Sequence, residues 1–206
     1  MNIGVDVDGF LTDLGKFQLE NGKNFFKDDK HYVNEYAYSF REMFNCTKEE
    51  ADKFWLKNIW KYCLRCECTK GASELLNKLK EDGNKIYIIT GRVHTTETGF
   101  LGDIFRCMLN HWLNKNNIPY DEIIYCDDEN SAEEKLGICS RLNIDVMFED
   151  QIKNAITISK VSDVILKDRP YNHGLCINRV SRVNELDEVY DILHKMKKVK
   201  RLDKWV

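Results

Sequence analysis

No stretch of this 206-residue chain approaches the roughly 18 consecutive apolar residues of a membrane-spanning helix, so the sequence gives no support to a transmembrane role. Neither sign of charge is in excess: 31 basic residues face 34 acidic ones for a net charge of -3, which excludes bulk attraction to nucleic acid or to an anionic membrane. The basic tail from His194 to Lys204 reads as a helix with a solvated face followed by a frayed end, and no nucleic-acid-binding motif accompanies it. With two prolines and no Ser- or Gly-rich linker, nothing in composition divides the chain, and any boundary has to come from pattern. The N-terminus enters a strand directly without a charged and then apolar leader, so a cytoplasmic setting is expected. Eight cysteines are then expected as reduced thiols. Cys63, Cys66 and Cys68 lie close together, and His31 or Cys46 could complete a zinc site, but no second Cys-x-x-Cys pair exists.

What the sequence does have begins at its first residues. Asn2-Ile3-Gly4-Val5-Asp6-Val7-Asp8-Gly9 is an apolar run ending in two aspartates one residue apart and a glycine. Side chains two apart on a strand point the same way, so Asp6 and Asp8 can converge at its end while Gly9 allows a sharp turn. Two close carboxylates repel, and a hard cation such as Mg²⁺ relieves that. Asp-x-Asp-Gly also opens calcium loops, but Phe10 and Leu11 supply none of the further oxygen ligands such a loop needs.

The pattern then changes. Residues 14 to 69 have helical character and many aromatic residues, and Thr47-Lys48-Glu49-Glu50 has the spacing of a capping box ahead of Ala51, Phe54, Trp55, Ile59 and Tyr62 at helical intervals. From Ala72 strands and helices alternate. A helix carrying Leu75, Leu76 and Leu79 stops near Gly83, Lys85 to Thr90 is a buried strand, and a helix follows with Ile104, Met108, Leu109 and Trp112. A strand at Ile123 to Cys126, a helix between Ala132 and Leu142, and strands at Val146 to Asp150 and Asp163 to Leu166 complete the series. The expectation is an α/β, Rossmann-like, mostly parallel sheet with helices on both faces and a small inserted helical cap: core 1–13 and 70–206, cap 14–69. Ligands gather beyond the carboxyl ends of such strands.

Three strand ends carry polar groups there: Asp6 and Asp8, Thr90-Gly91-Arg92, and Glu149-Asp150, with Lys135 on the helix before the last. Each suits phosphoryl transfer, whose demands are positioning, charge neutralisation and an in-line nucleophile. The hydroxyl and backbone N–H groups at Thr90 and Gly91 can hold phosphate oxygens, a lysine supplies fixed positive charge, and Asp6 with Asp150 can hold Mg²⁺. Asp8 is then free to carry a proton.

These four elements, in this order, resemble the signatures of the haloacid dehalogenase superfamily of phosphohydrolases: Asp6 to Thr12 the first, Ile89-Thr90-Gly91-Arg92 the second, Lys135 the third and Phe148-Glu149-Asp150 the fourth. The resemblance implies that Asp6 is the nucleophile that becomes an aspartyl phosphate and that Asp8 is the general acid and base, with its backbone carbonyl helping to hold the metal. It implies that Thr90, Gly91 and Lys135 bind the phosphoryl group, that Asp6, Asp8 and Asp150 hold Mg²⁺, and that Glu149 accepts from metal-bound water. Lys115 and Lys153 lie in the same half of the chain, and the spacing before the fourth element favours Lys135.

A narrower resemblance, to the 5'(3')-deoxyribonucleotidase type, rests on Thr90-Gly91-Arg92, Asn117-Ile118-Pro119-Tyr120-Asp121 and Asp168-Arg169-Pro170-Tyr171-Asn172. It implies a nucleoside monophosphate substrate, with aromatic residues between Phe17 and Trp60 against its base. Phe10 departs from the smaller, valine-like residue of that pattern. The partner expected is a small phosphorylated metabolite, a nucleotide first, with no nucleic acid and no membrane; a homodimer stays open. The alternatives are a phosphatase of a sugar phosphate or similar metabolite, and a receiver-like phosphoaspartate module. The inserted helices count against the latter.

Overall fold

A computed structural model describes residues 1–27, 31, 33–128, 130–174 and 176–202, with side chains described as far as residue 196. Six strands form one sheet: β1 (Asn2–Val5), β2 (Lys85–Thr90), β3 (Glu122–Tyr125), β4 (Val146–Glu149), β5 (Asp163–Lys167) and β6 (Val180–Val183). Their order is β3-β2-β1-β4-β5-β6, and every pairing is parallel. β1 is therefore central, with Asn2 opposite Lys85 on one side and Ile3 opposite Val146 on the other.

The two faces of the sheet follow from strict alternation along each strand. Ile3, Val5, Ile88, Val146 and Phe148 point to one side, where they pack on α4 (Ala72–Glu81), α5 (Phe100–Lys115) and α8 (Asp187–Leu202) through Leu76, Trp112 and Val189. Ile89, Met147, Val164 and Leu166 point to the other and meet α6 (Ser131–Arg141) and α7 (Ile152–Ile158) through Ile138 and Ile158. Gly4 faces this second side, where a Cβ would lie 2.5 Å from the Met147 sulfur, so the central strand needs glycine to let its neighbours close over it. Burial on both faces explains why β1, β2 and β4 read as continuous apolar runs in the sequence.

Between β1 and α4 the chain forms α1 (Leu14–Phe25), α2 (Phe40–Phe44) and α3 (Lys48–Arg65). The Thr47 capping box forms, with the Glu50 amide donating to Thr47 Oγ1 at 3.3 Å and the Thr47 amide donating to the Glu50 carboxylate at 2.8 Å. These helices bury a cluster of their own, built on Phe17, Phe40, Phe44, Phe54 and Tyr62, that reaches α5 through Phe105 and Met108. Phe40 and Phe54 stack with ring centroids 3.7 Å apart. The chain returns beside its departure point, as the Thr69 amide donates to the Leu11 carbonyl and Thr12 forms an antiparallel bridge with Cys68.

Cys63 and Cys66 lie in the aromatic cluster, whereas Cys68 packs against the sheet core, and all eight cysteines are free thiols. Among the described residues, the one group of three His, Cys, Asp or Glu side chains whose ligand atoms converge is Asp6, Glu149 and Asp150. β6 is an element that periodicity does not announce, because Val180-Ser181-Arg182-Val183 is short and half polar. In the tail, α8 begins at Asp187 and buries Val189 and Leu193, so the helix that carries the basic residues also closes the core; residues 203–206 lie outside the described residues. No helix among the described residues is long and apolar enough to cross a membrane.

Candidate active site

β1 ends at Val5, and the chain makes a tight non-helical turn over Val7–Leu11, closed by the Thr12 amide donating to the Val7 carbonyl at 2.9 Å. Gly9 makes that turn possible in two ways. Its φ is +97°, and a Cβ there would lie 1.9 Å from Asp150 Oδ2, so both backbone and space demand glycine. Thr12 closes the turn, accepting from the Gly9 amide at 3.3 Å and donating to the Val7 carbonyl at 3.2 Å. From the far side Arg169 donates to the Gly9 carbonyl at 2.7 and 2.9 Å and pairs with Asp13 at 2.9 Å. The segment after β5 thus fixes the loop after β1.

Asp6, at the mouth of this turn, is buried, and its amide donates to the Phe148 carbonyl of β4 at 3.0 Å. Its Oδ1 accepts from Lys135 Nζ at 2.7 Å. The same ammonium donates to Glu149 Oε1 at 2.5 Å, so one buried lysine on α6 joins the first and fourth elements. Glu149 also accepts from Asn154 Nδ2 at 3.1 Å and from the amides of Asp150 and Gln151. Asp150 takes a hydrogen bond from the Tyr171 hydroxyl, and its main-chain carbonyl accepts from Asn172 Nδ2 at 2.6 Å. Its Oδ1 is buried without a partner.

Crowding of acids shapes their protonation. Burial pushes the Asp6 carboxyl well above the usual carboxylate range; Lys135 pulls it back, while Glu149, Asp150 and Asp8 push it further up. Burial and then Glu149 raise Asp150 to about 7. Burial works against the Lys135 ammonium, yet Asp6 and Glu149 outweigh it and hold the lysine charged. A buried trio of carboxylates with an unpartnered oxygen on Asp150, and with Asp6 and Asp150 pushed up by burial, is a donor set that a hard divalent cation fits.

A cleft of about 620 Å³ opens over these groups, and Asp6, Asp8, Thr90, Gly91 and Lys135 all line it. Thr90 ends β2 with a buried hydroxyl that has no protein partner. The outer walls come from the inserted helices, through Leu14, Gln18, Phe40, Trp55 and Ile59. Of the residues expected from sequence, Asp6, Asp8, Thr90, Gly91 and Lys135 share this cleft, and Asp150 and Glu149 adjoin it through Asp6 and Lys135. Phe10 is elsewhere: fully buried and stacked on Phe148 at 5.2 Å, it is a core residue.

Sequence reasoning assigned no role to Arg92 or Tyr62, both of which hold Asp8, or to Tyr171, which holds Asp150. Arg92 lies in the Thr90-Gly91-Arg92 motif and Tyr171 in Asp168-Arg169-Pro170-Tyr171-Asn172, so a signal existed; Tyr62 gave only a helical interval.

The comparisons agree with this architecture. A nucleotidase from Clostridium acetobutylicum is 25% identical over 197 residues, covering 95% of each chain. A solved structure described as a predicted phosphatase, also from Clostridium acetobutylicum, superimposes with a TM-score of 0.62 at 20% identity, covering 94% of this chain and 98% of that one. A haloacid dehalogenase superfamily hydrolase from Geobacter sulfurreducens does so with a TM-score of 0.57 at 12% identity, covering 93% and 98%. Residues 1–199 match the model of one family, and the chain belongs to it: the 5' nucleotidase, deoxy (pyrimidine), cytosolic type C proteins, phosphoric monoester hydrolases of the haloacid dehalogenase type.

Proposed function

We propose that the protein is a Mg²⁺-dependent 5'-nucleotidase acting on nucleoside monophosphates through a phosphorylated Asp6. The observation that carries this reading is the convergence on one cleft of Asp6, the unpartnered Thr90 hydroxyl, Gly91 and the Lys135 ammonium. Lys135 occupies Asp6 Oδ1, which leaves Oδ2 to attack phosphorus. As the P–O ester bond breaks, Asp8 gives its proton to the leaving oxygen. Asp8 then takes a proton from the water that attacks the aspartyl phosphate, releasing inorganic phosphate and restoring Asp6. Thr90, the Gly91 amide and Lys135 hold the transferring oxygens throughout. Asp6, Asp150 and the Asp8 carbonyl would hold Mg²⁺, which supplies charge neutralisation at the phosphoryl group.

Residues 14–69 act in this reading as a cap. Phe40, Trp55 and Ile59 give the cleft an apolar wall suited to a planar base, which a sugar phosphate would not use. A reducing, cytoplasmic setting is part of this reading.

The test is phosphate release with and without Mg²⁺ across deoxy- and ribonucleoside monophosphates, sugar phosphates and an aryl phosphate. Nucleoside 5'-monophosphates are expected to give the highest kcat/KM, and Asp6→Asn to give no turnover. Preference for a sugar phosphate would overturn the nucleotide assignment, and an active Asp6→Asn protein would overturn the nucleophile.

A further inference from the structure

Asp8 does not share the ion-pair network of its neighbour Asp6. Arg92 Nη2 donates to Asp8 Oδ1 at 2.7 Å, and Arg92 Nε donates to Oδ1 at 3.1 Å and to Oδ2 at 3.3 Å. The Tyr62 hydroxyl donates to the same Oδ1 at 2.5 Å. The guanidinium lies 5.0 Å from the Tyr62 ring centroid, so the two donors also pack on each other. Both are almost fully buried, whereas the Asp8 side chain keeps 21% of its surface exposed and lines the cleft beside Tyr62.

Tyr62 also lies against the loop. Its hydroxyl lies 2.9 Å from Thr12 Oγ1, the atom that closes the turn carrying Asp8. The Asp8 carboxylate thus takes hydrogen bonds from a phenol of α3 and from Arg92, which reaches it from the end of β2. An aspartate on a turn otherwise samples several rotamers, and a proton donor misplaced by about 1 Å can cost on the order of 10²-fold in rate.

We propose that Tyr62 and Arg92 are positioning residues for the acid-base carboxylate Asp8. The proposal rests on the phosphomonoesterase reading given above. Tyr62 also packs within the aromatic cluster, with Phe17 at 5.0 Å and Trp55 at 5.9 Å, so a purely structural role has to be separated from a positioning one. Tyr62→Phe keeps the ring and removes the hydroxyl alone.

The readout is kcat/KM in Mg²⁺, which reports steps up to release of the alcohol, for a nucleoside monophosphate against 4-nitrophenyl phosphate. An alkoxide needs a proton to leave, and nitrophenolate does not. Tyr62→Phe should lower kcat/KM about tenfold or more on the nucleotide and less than about threefold on the aryl phosphate, with KM nearly unchanged. Arg92→Lys, checked by urea unfolding, should show the same selectivity. Equal losses on both substrates, or no loss on either, would overturn the proposal. A wild-type enzyme that rejects nucleotides and takes a sugar phosphate overturns the nucleotide reading instead, and the sugar phosphate then serves as the alkyl substrate in the same comparison.

Discussion

Replacing Lys135 by methionine, which has similar length and no charge, tests how the site tolerates its own acids. Lys135 Nζ lies 2.7 Å from Asp6 and 2.5 Å from Glu149, and all three side chains are buried. Without it, Asp6, Glu149 and Asp150 share one pocket and lose the cation that touches two of them, and removing one partner of a buried pair costs about 3–5 kcal/mol. For a chain of this size each kcal/mol moves Tm by about 2–4 °C, so the melting point in EDTA at pH 8 should fall by about 6–20 °C. At pH 5.5 the deficit should shrink, because a carboxyl that takes up a proton no longer repels its neighbours. Phosphate release should drop by about 10²- to 10³-fold, the usual cost of losing one charge-stabilising donor. A Lys135→Met protein that melts within about 2 °C of wild type at pH 8 in EDTA would refute this account of the site.

Two further outcomes follow from the same geometry. Gly9→Ala would force a side chain into a backbone with φ of +97° and against Asp150, so it should cost more than about 1–3 kcal/mol and lower Tm accordingly; an unchanged melting curve would contradict the close approach. Burial, and then Glu149, hold the Asp150 pKa up at about 7, so the fold favours the protonated form. That contribution is fully present below the ordinary aspartate value of about 3.9 and is lost as pH rises through about 7. Mg²⁺ should therefore raise Tm more at pH 8 than at pH 5.5, and equal increments in the two buffers would argue against Asp150 as a ligand.

Much of this was legible in the sequence because the relevant forces are local. Strands buried on both faces appear as unbroken apolar runs, so β1, β2, β4 and β5 could be read directly, and polar residues at their ends marked the mouth of the sheet. Lys135 could be chosen by spacing, but its bridging of Asp6 and Glu149 could not, since it depends on how α6 packs against the sheet. Tyr62 was hidden for a similar reason. One face of α3 is aromatic, and a phenol at a helical interval looks like core until the turn after β1 is brought beneath it. β6 was missed because two of its four residues are polar and its pairing with β5 alone makes it a strand.

The sheet order has a consequence for how the chain is made. β1 precedes both of its neighbours in the chain, yet Asn2 pairs with Lys85 and Ile3 with Val146. During synthesis the central strand stays unpaired on one flank until the 140 residues between β1 and β4 have been made. Such long-range pairing slows folding and leaves an apolar strand open to the wrong partners meanwhile. The aromatic cluster of α1, α2 and α3 likewise waits for Phe105 and Met108 of α5 to complete it. Asp6, whose amide bonds the Phe148 carbonyl of β4, is therefore made long before the strand that locks it in place.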